Sequence, residues 1–473
     1  MALLAGPTVL AFKAGGYFDT PRTVAAVVAW ALLALAAVGA GRPRALSWTA
    51  AGLALGGMAL LTAWVGLSSS WGSLAGPAED DLTRDLLYLP ALALGLWAWG
   101  SRRALALVEP ALAAGTLVVV GYGLAGRLVP GIVELQASAS AGGRLEQPLS
   151  YWNAMGALAA IGLVLFARLA GDHERPLALR MAAAAGAAPV GLGLYLSFSR
   201  GALAAGAVGL VLVALLAPTR AQWKACLSAA GAAAVLAAVS SRLGAVESLQ
   251  GSPSQAQSQG LAMLGVLVVV CAAVALVARL AGAREGERDV RVRPLPQTRL
   301  LALAVVVVGL GVPMAAAAVT APPENVREGA STRRLGDVSS NRYQYWKVAV
   351  REAADHPLKG VGSGSFDTAW TRERKVTENA RDAHSLTLET AAELGIVGLA
   401  ALAALLAGVA LALAELYRRA PALAVGPITA LTTWFVHANL DWDWEMPALT
   451  LVAMVLAGAA LGAPRDVSAE ARG

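Results

Sequence analysis

The chain has 473 residues, of which 57% are apolar and only 14% charged. A soluble protein carries roughly a quarter charged residues, so this composition excludes an ordinary soluble enzyme and points to a polytopic membrane protein. The net charge of +6 is not a nucleic-acid signature, because the Lys and Arg residues fall in short turns between apolar runs, where they orient a membrane chain. The two cysteines, Cys226 and Cys271, both lie inside apolar runs and read as small buried side chains rather than as a disulfide or metal cluster.

A helix needs about 20 apolar residues to cross the ~30 Å hydrocarbon core. In chain order, spans are predicted at 23–41, 45–67, 86–99, 104–125, 151–170, 181–197, 201–217, 225–240, 260–281, 299–318, 395–416, 424–440 and 446–462. The apolar run at 2–16 lacks the basic start and cleavage site of a signal peptide, and reads as a short membrane segment or a fourteenth span. Nothing alternates with period two, so helices alone satisfy the backbone in lipid. Arg42, Arg44, Arg102, Arg103, Arg168, Arg175, Arg180, Arg220, Lys224, Arg284, Arg288, Arg291, Arg293, Arg418 and Arg419 fall in alternate short loops, which places those loops inside, the charged loop at 282–297 as a plain cytoplasmic connector. The acidic stretch at 79–81, the loops at 127–150 and 241–259, the turn at Ser199-Arg200 and a polar island at 322–394 then face outside. The expected architecture is all-α: a transmembrane bundle of 12–14 spans with one large extracytoplasmic loop that holds short helices. The expected divisions are 1–320 (bundle), 321–394 (external loop) and 395–473 (C-terminal helices and tail).

The island has its own order. Trp346, Ala349, Val350 and Ala353 recur at helical spacing, predicting an amphipathic helix over 341–355 that His356-Pro357 ends. Gly360-Val361-Gly362-Ser363-Gly364 reads as a flexible turn between helices; no strand precedes it, which rules out a dinucleotide-binding loop. A second helix, capped by Asp382 or Ser385, runs through Glu389 and Glu393 towards Gly395.

Candidate chemistry clusters on the outer face. Ser199 can cap the next helix, whose positive end beside Arg200 would suit a phosphate or diphosphate; the competing reading is an Arg that reaches up to lipid headgroups. His384 is expected in the first turn of the second island helix, where a positive helix end keeps the ring neutral and able to take a proton. Arg342 and Lys347 interleave with Tyr343, Tyr345 and Trp346, a pattern suited to sugar recognition and equally to an interfacial aromatic belt. Asp441-Trp-Asp-Trp-Glu445 offers paired carboxylates or a Trp-anchored interfacial turn. Arg144 and Asn153, in RLEQPLSYWNAMG, open another span on this face. Glu109 reads as an intramembrane acid near the middle of a short span, and His437 lies near the outer end of another.

Four segments, RLEQPLSYWNAMG, SFSRGA, SNRYQYWKVAVREAADHPLKGVGSGSF and AHSLTLETAAELGIVGL, together resemble the O-antigen ligase / O-antigen polymerase family of bacterial membrane glycosyltransferases. The resemblance runs from about Arg144 to the end, with Ser385 where many members have Asn. It implies a GT-C-like helical fold in the cytoplasmic (inner) membrane and an active site facing outside. It also implies a polyprenyl-diphosphate-linked glycan donor, a glycan, lipid or protein acceptor, and no nucleotide sugar. Carried over, Arg200 would bind the donor diphosphate, Arg342 would support it, and His384 would activate the acceptor hydroxyl. Ser199, Arg144, Asn153, Trp346, Lys347, Asp441 and Glu445 are the expected substrate-binding residues. No cofactor and no catalytic metal are expected, since Arg can do the charge work and no His/Asp ligand cluster is visible in the sequence. The alternative class is a flippase or transporter of polyprenyl-linked glycans; it would place ionisable residues along mid-membrane spans, whereas here they concentrate in the island.

Overall fold

The computed structural model describes residues 2–39, 41–73, 75–284, 329–330 and 340–465. The expected span at 299–318 and the charged connector before it lie outside the described residues. Within them the fold is all helical: α1 (Ala2–Ala11), α2 (Asp19–Gly39), α3 (Trp48–Ser68), α4 (Ala75–Ala98), α5 (Arg102–Ala106), α6 (Val108–Leu128), α7 (Trp152–Gly171), α8 (Leu177–Leu196), α9 (Arg200–Leu216), α10 (Arg220–Ser240), α11 (Gly244–Glu247) and α12 (Pro253–Arg284). After the undescribed stretch come α13 (Arg342–Asp355), α14 (Phe366–Glu373), α15 (Leu386–Arg419), α16 (Pro421–Ala438) and α17 (Pro447–Leu461). Among the described residues eight helices are long and apolar enough to cross a membrane, and Arg200–Leu216 and Pro447–Leu461 are shorter apolar ones. The chain is a polytopic helical membrane protein.

Helix α7 is the axis. It is buried from Asn153 to Gly171 and packs against α6, α8, α9, α10 and α16. Helix α15 lies along α3, and α17 along α4. Helix α4 starts at Ala75, well before the expected span at 86–99, and so takes in Glu79, Asp80, Asp81, Arg84 and Asp85. These charges sit at one end of the bundle and set the polarity of the site described below. Helix α1 has ten residues, about 15 Å of rise, half of the hydrocarbon thickness.

The loops sort into two opposite sets. At one end Arg44 N–H donates to Leu96 O, Leu46 N–H to Leu461 O and Arg175 to Ala106 O. Arg168 donates to Ala422 O, and Tyr417 to Leu216 O. Glu109 belongs to this end as well. It lies in the first turn of α6, not mid-span, and pairs with Arg175 at 3.4 Å. At the other end Arg22 pairs with Asp80, Arg381 with Asp80, Ser363 N–H donates to Ser68, and Tyr88 to Trp444 O.

The island carries a small core of its own at that second end, built by Tyr345, Val348, Ala349, Phe366, Ala369, Trp370 and neighbours. The buried stripe of α13 is Tyr345, Val348, Ala349 and Glu352 with Trp346. Val350, expected on the apolar face, is 55% exposed. The stripe is rotated because Tyr345 packs edge-on against Trp370 of α14, a helix the sequence pattern did not reveal.

Candidate functional site

The glycine turn is a clamp rather than a flexible link. Val361 N–H donates to Ala392 O and Gly362 N–H to Glu393 O, while both carboxylate oxygens of Glu393 accept from Gly364 and Phe366 N–H. Gly360 has φ +69° and lies so close to α15 that a Cβ would sit 2.2 Å from the Glu393 carbonyl carbon. Only glycine combines that dihedral with that contact. The turn therefore locks the loop that follows α13 onto the start of α15.

That locking brings the segment before α15 over the turn between α16 and α17. Ser385 is the N-cap of α15, so His384 stands just outside the helix rather than in its first turn, with φ +56°. Its Nδ1 lies 2.9 Å from the carbonyl oxygen of Asp382. A carbonyl can only accept, so Nδ1 carries the proton and Nε2 presents a lone pair. Nε2 is 3.9 Å from Asp441 Oδ1, and Tyr345 packs on the ring at 5.1 Å. Trp346 Nε1 donates to His384 O at 3.5 Å; its indole is buried behind the loop, so Trp346 braces His384 instead of offering a stacking face.

Asp441 is the hub. It is fully buried. Arg342 Nη2, from the first turn of α13, donates to its Oδ2 at 2.5 Å, and Tyr151 Oη and the Trp442 N–H donate to its Oδ1 at 2.8 and 3.0 Å. Burial alone would push the Asp441 carboxyl up, but the charges of Arg342, His384 and His437 and the Tyr151 hydrogen bond carry it below its ordinary value. Asn153 Nδ2 donates to Tyr151 Oη at 2.7 Å, and Trp442 stacks on Tyr151 at 4.3 Å. Asn153 thus reaches the cluster through Tyr151, a residue that sequence reading passed over although it lies two positions away in the same motif.

Ser199 caps α9 as expected: its Oγ accepts from Ala202 N–H at 3.3 Å, and it is buried. Its hydroxyl orients the helix end on which Arg200 is the first residue. Next to it, Gly201 faces His437, whose Cδ2 would lie 3.4 Å from a Cβ there. His437 Nδ1 is held by Asp443 at 2.7 Å, so the helix start is linked to the acidic turn. Lys347 follows Trp346 on α13. Arg144 belongs elsewhere. It is 2% exposed, donates to Ala141 O and Ser140 O, and stacks 3.6 Å from the Trp152 ring centre. Arg144 thus closes its own loop.

Glu445 joins a carboxylate cluster with Asp382 and Glu389, whose oxygens lie within 4.8 Å of one another. Burial, with Asp382 beside it and Arg84 pulling the other way, raises Glu445 to about 8. Two segments far apart in the chain, 382–389 and the turn before α17, supply this cluster, which is why no ligand spacing was visible in the sequence.

An apolar groove of about 720 Å³ runs along α1, α2, α4 and α17, with Lys13 and Phe18 at its end near the site. There Tyr17 meets Trp442 edge-on at 5.4 Å, so the groove ends beside the Asp441 hub.

A family model described as O-Antigen ligase matches residues 255–403. The match is less than half of the chain; it includes Arg342, Asp382, His384 and Glu389, while Arg200 and the 441–445 turn lie outside it. No curated protein matches the chain.

Proposed function

We propose, from the match of segment 255–403 to the O-antigen ligase family model, that the chain transfers or polymerises a glycan from a polyprenyl-diphosphate-linked donor onto an acceptor hydroxyl. The reaction would occur at the outer face of the cytoplasmic membrane, with 321–394 as the catalytic loop. The observation that carries this reading is the meeting of Arg342 and His384 on one buried carboxylate, Asp441.

In the proposed step the acceptor oxygen forms a bond to the anomeric carbon of the donor. The bond from that carbon to the diphosphate oxygen breaks, and the polyprenyl diphosphate leaves. The acceptor proton passes to His384 Nε2, which holds a lone pair because Nδ1 is committed to Asp382 O. The imidazolium so formed faces the Asp441 carboxylate. Charge develops on the leaving diphosphate, and Arg200 at the α9 end and Arg342 would stabilise it. The apolar groove beside Tyr17 has the size and lining for a prenyl chain.

The test is glycan transfer by the purified protein with a lipid-linked donor. His384→Ala, Arg342→Ala and Arg200→Ala should each lower turnover by on the order of a hundredfold or more. Wild-type turnover in the folded His384→Ala variant would refute the assignment of the base.

A further inference from the structure

The acid cluster beyond Glu445 is not used by the proposed reaction. Asp382 comes from the loop before α15, Glu389 from the first turns of α15, and Glu445 from the turn before α17. Beside them lies a cavity of about 40 Å³, lined also by Asp81, Asp85 and Glu393. Some of these carboxylates are accounted for. Asp81 pairs with Arg84 and accepts from Ser363, and Glu393 is saturated by two backbone N–H groups. Asp85 is not. It is 1% exposed, its Oδ1 accepts from Trp444 Nε1 at 3.2 Å, and its Oδ2 has no hydrogen-bond partner.

Carboxylates this close, Asp382 and Glu389 half-buried and Glu445 buried, repel one another unless a positive charge lies among them. Arg84 supplies one charge, but it is already bound to Asp81. Hard oxygen donors from several segments, converging beside a small polar cavity, match the chemistry of calcium or magnesium. Calcium ligands at about 2.3–2.6 Å from the ion can be up to roughly 5 Å apart, a spacing that accommodates the 4.8 Å cluster.

We propose that Asp382, Glu389 and Glu445, with Asp85 across the adjoining cavity, form a divalent-cation site that ties the His384 loop to α15 and to the 441–446 turn. The ion would act as a structural tie. It fixes Asp382, whose carbonyl oxygen accepts from His384 Nδ1, and it contacts no reacting atom. The site goes beyond the glycan-transfer reading and stands or falls separately from it.

The full-length protein in detergent, stripped with chelator, is titrated with CaCl₂ and with MgCl₂ by calorimetry, and its Tm is followed. One ion of at least one of the two metals should bind per chain, and Tm should rise with the logarithm of its concentration. Glu389→Gln and Glu445→Gln should weaken that binding by on the order of 10–100-fold, and Asp85→Asn should weaken it with the least change to the fold. A folded wild-type protein that binds neither metal up to millimolar concentration overturns the proposal, and its acids then hold protons instead. Binding that is insensitive to all three variants overturns it equally.

Discussion

Asp441→Asn is the sharpest probe of the site because it removes a charge and almost no volume. The amide oxygen can still accept from Tyr151 and from the Trp442 N–H, so the packing of the turn should survive. What is lost is the Arg342 ion pair, whose Oδ2 acceptor becomes an NH₂, and, for the reaction, the interaction with His384 once the ring has taken a proton. At 3.9 Å and an effective dielectric of about 20, a unit charge pair is worth about 4 kcal/mol. The His384 side chain is 17% exposed, so water screens part of this and roughly 3–4 kcal/mol remains. At about 1.4 kcal/mol per decade, turnover should fall by about 10²–10³-fold. The assay is initial-rate glycan transfer from a lipid-linked donor, with Tm measured in parallel to confirm folding. Because the carboxylate is argued to act through the ring, the same substitution in a His384→Ala background should cost much less, which a double-mutant cycle reads directly. A folded Asp441→Asn protein within threefold of wild type would refute the reasoning. Full additivity of the two substitutions would refute the claim that Asp441 works through His384.

Three further outcomes follow from the same geometry. Asp441 titrates below its ordinary value of 3.8 in the native state, so its ionisation contributes stability that is fully present above about pH 4 and is lost as pH falls through the lower native value; thermal unfolding between pH 3 and 7 should show this acid-side loss, and Asp441→Asn should lack it. Gly360→Ala forces a Cβ into the backbone of Glu393 at an unfavourable φ and should cost about 2–4 kcal/mol, read as a lower Tm together with lost transfer activity. Arg144→Ala removes a stacked, doubly hydrogen-bonded guanidinium that closes its own loop; it should lower stability by about 2–3 kcal/mol and leave the KM for donor unchanged in the folded fraction, whereas a raised KM would support a substrate-binding role.

The all-helical membrane architecture was legible in the sequence because hydrocarbon permits little else, and the two-sided distribution of loops followed from Lys and Arg alone. Helix starts were less legible. Helix α4 takes in a run of charges at Glu79–Asp85 that no hydropathy window would admit, because its first turns pair with the island through Asp80–Arg381 and Asp81–Ser363. The face of α13 was misjudged for a related reason. Trp346 and Val350 look like one apolar stripe, but the partner surface is α14, and it selects Tyr345, Val348 and Ala349.

The site residues divide along the same line. Asn153 and Asp441 could be singled out as polar side chains next to apolar spans, where such groups are costly, and Arg342 and His384 from the aromatic helix and the helix start within the island. That Asp441 sits between Arg342 and His384 could not be read, since the two partners are 99 and 57 positions away and the contact depends on a glycine clamp closing onto Glu393. The acid cluster makes the point most strongly. Asp382, Glu389 and Glu445 each look like solvated caps or turn acids when taken singly, and only the folding of the 382–389 stretch onto the turn before α17 turns them into a common charge that something positive must balance. The same contacts that place His384 above Asp441 also place Asp382 beside Glu389 and Glu445. The geometry of the base and the neutralisation of the cluster are therefore one structural problem, and a change that disturbs either should register in the other.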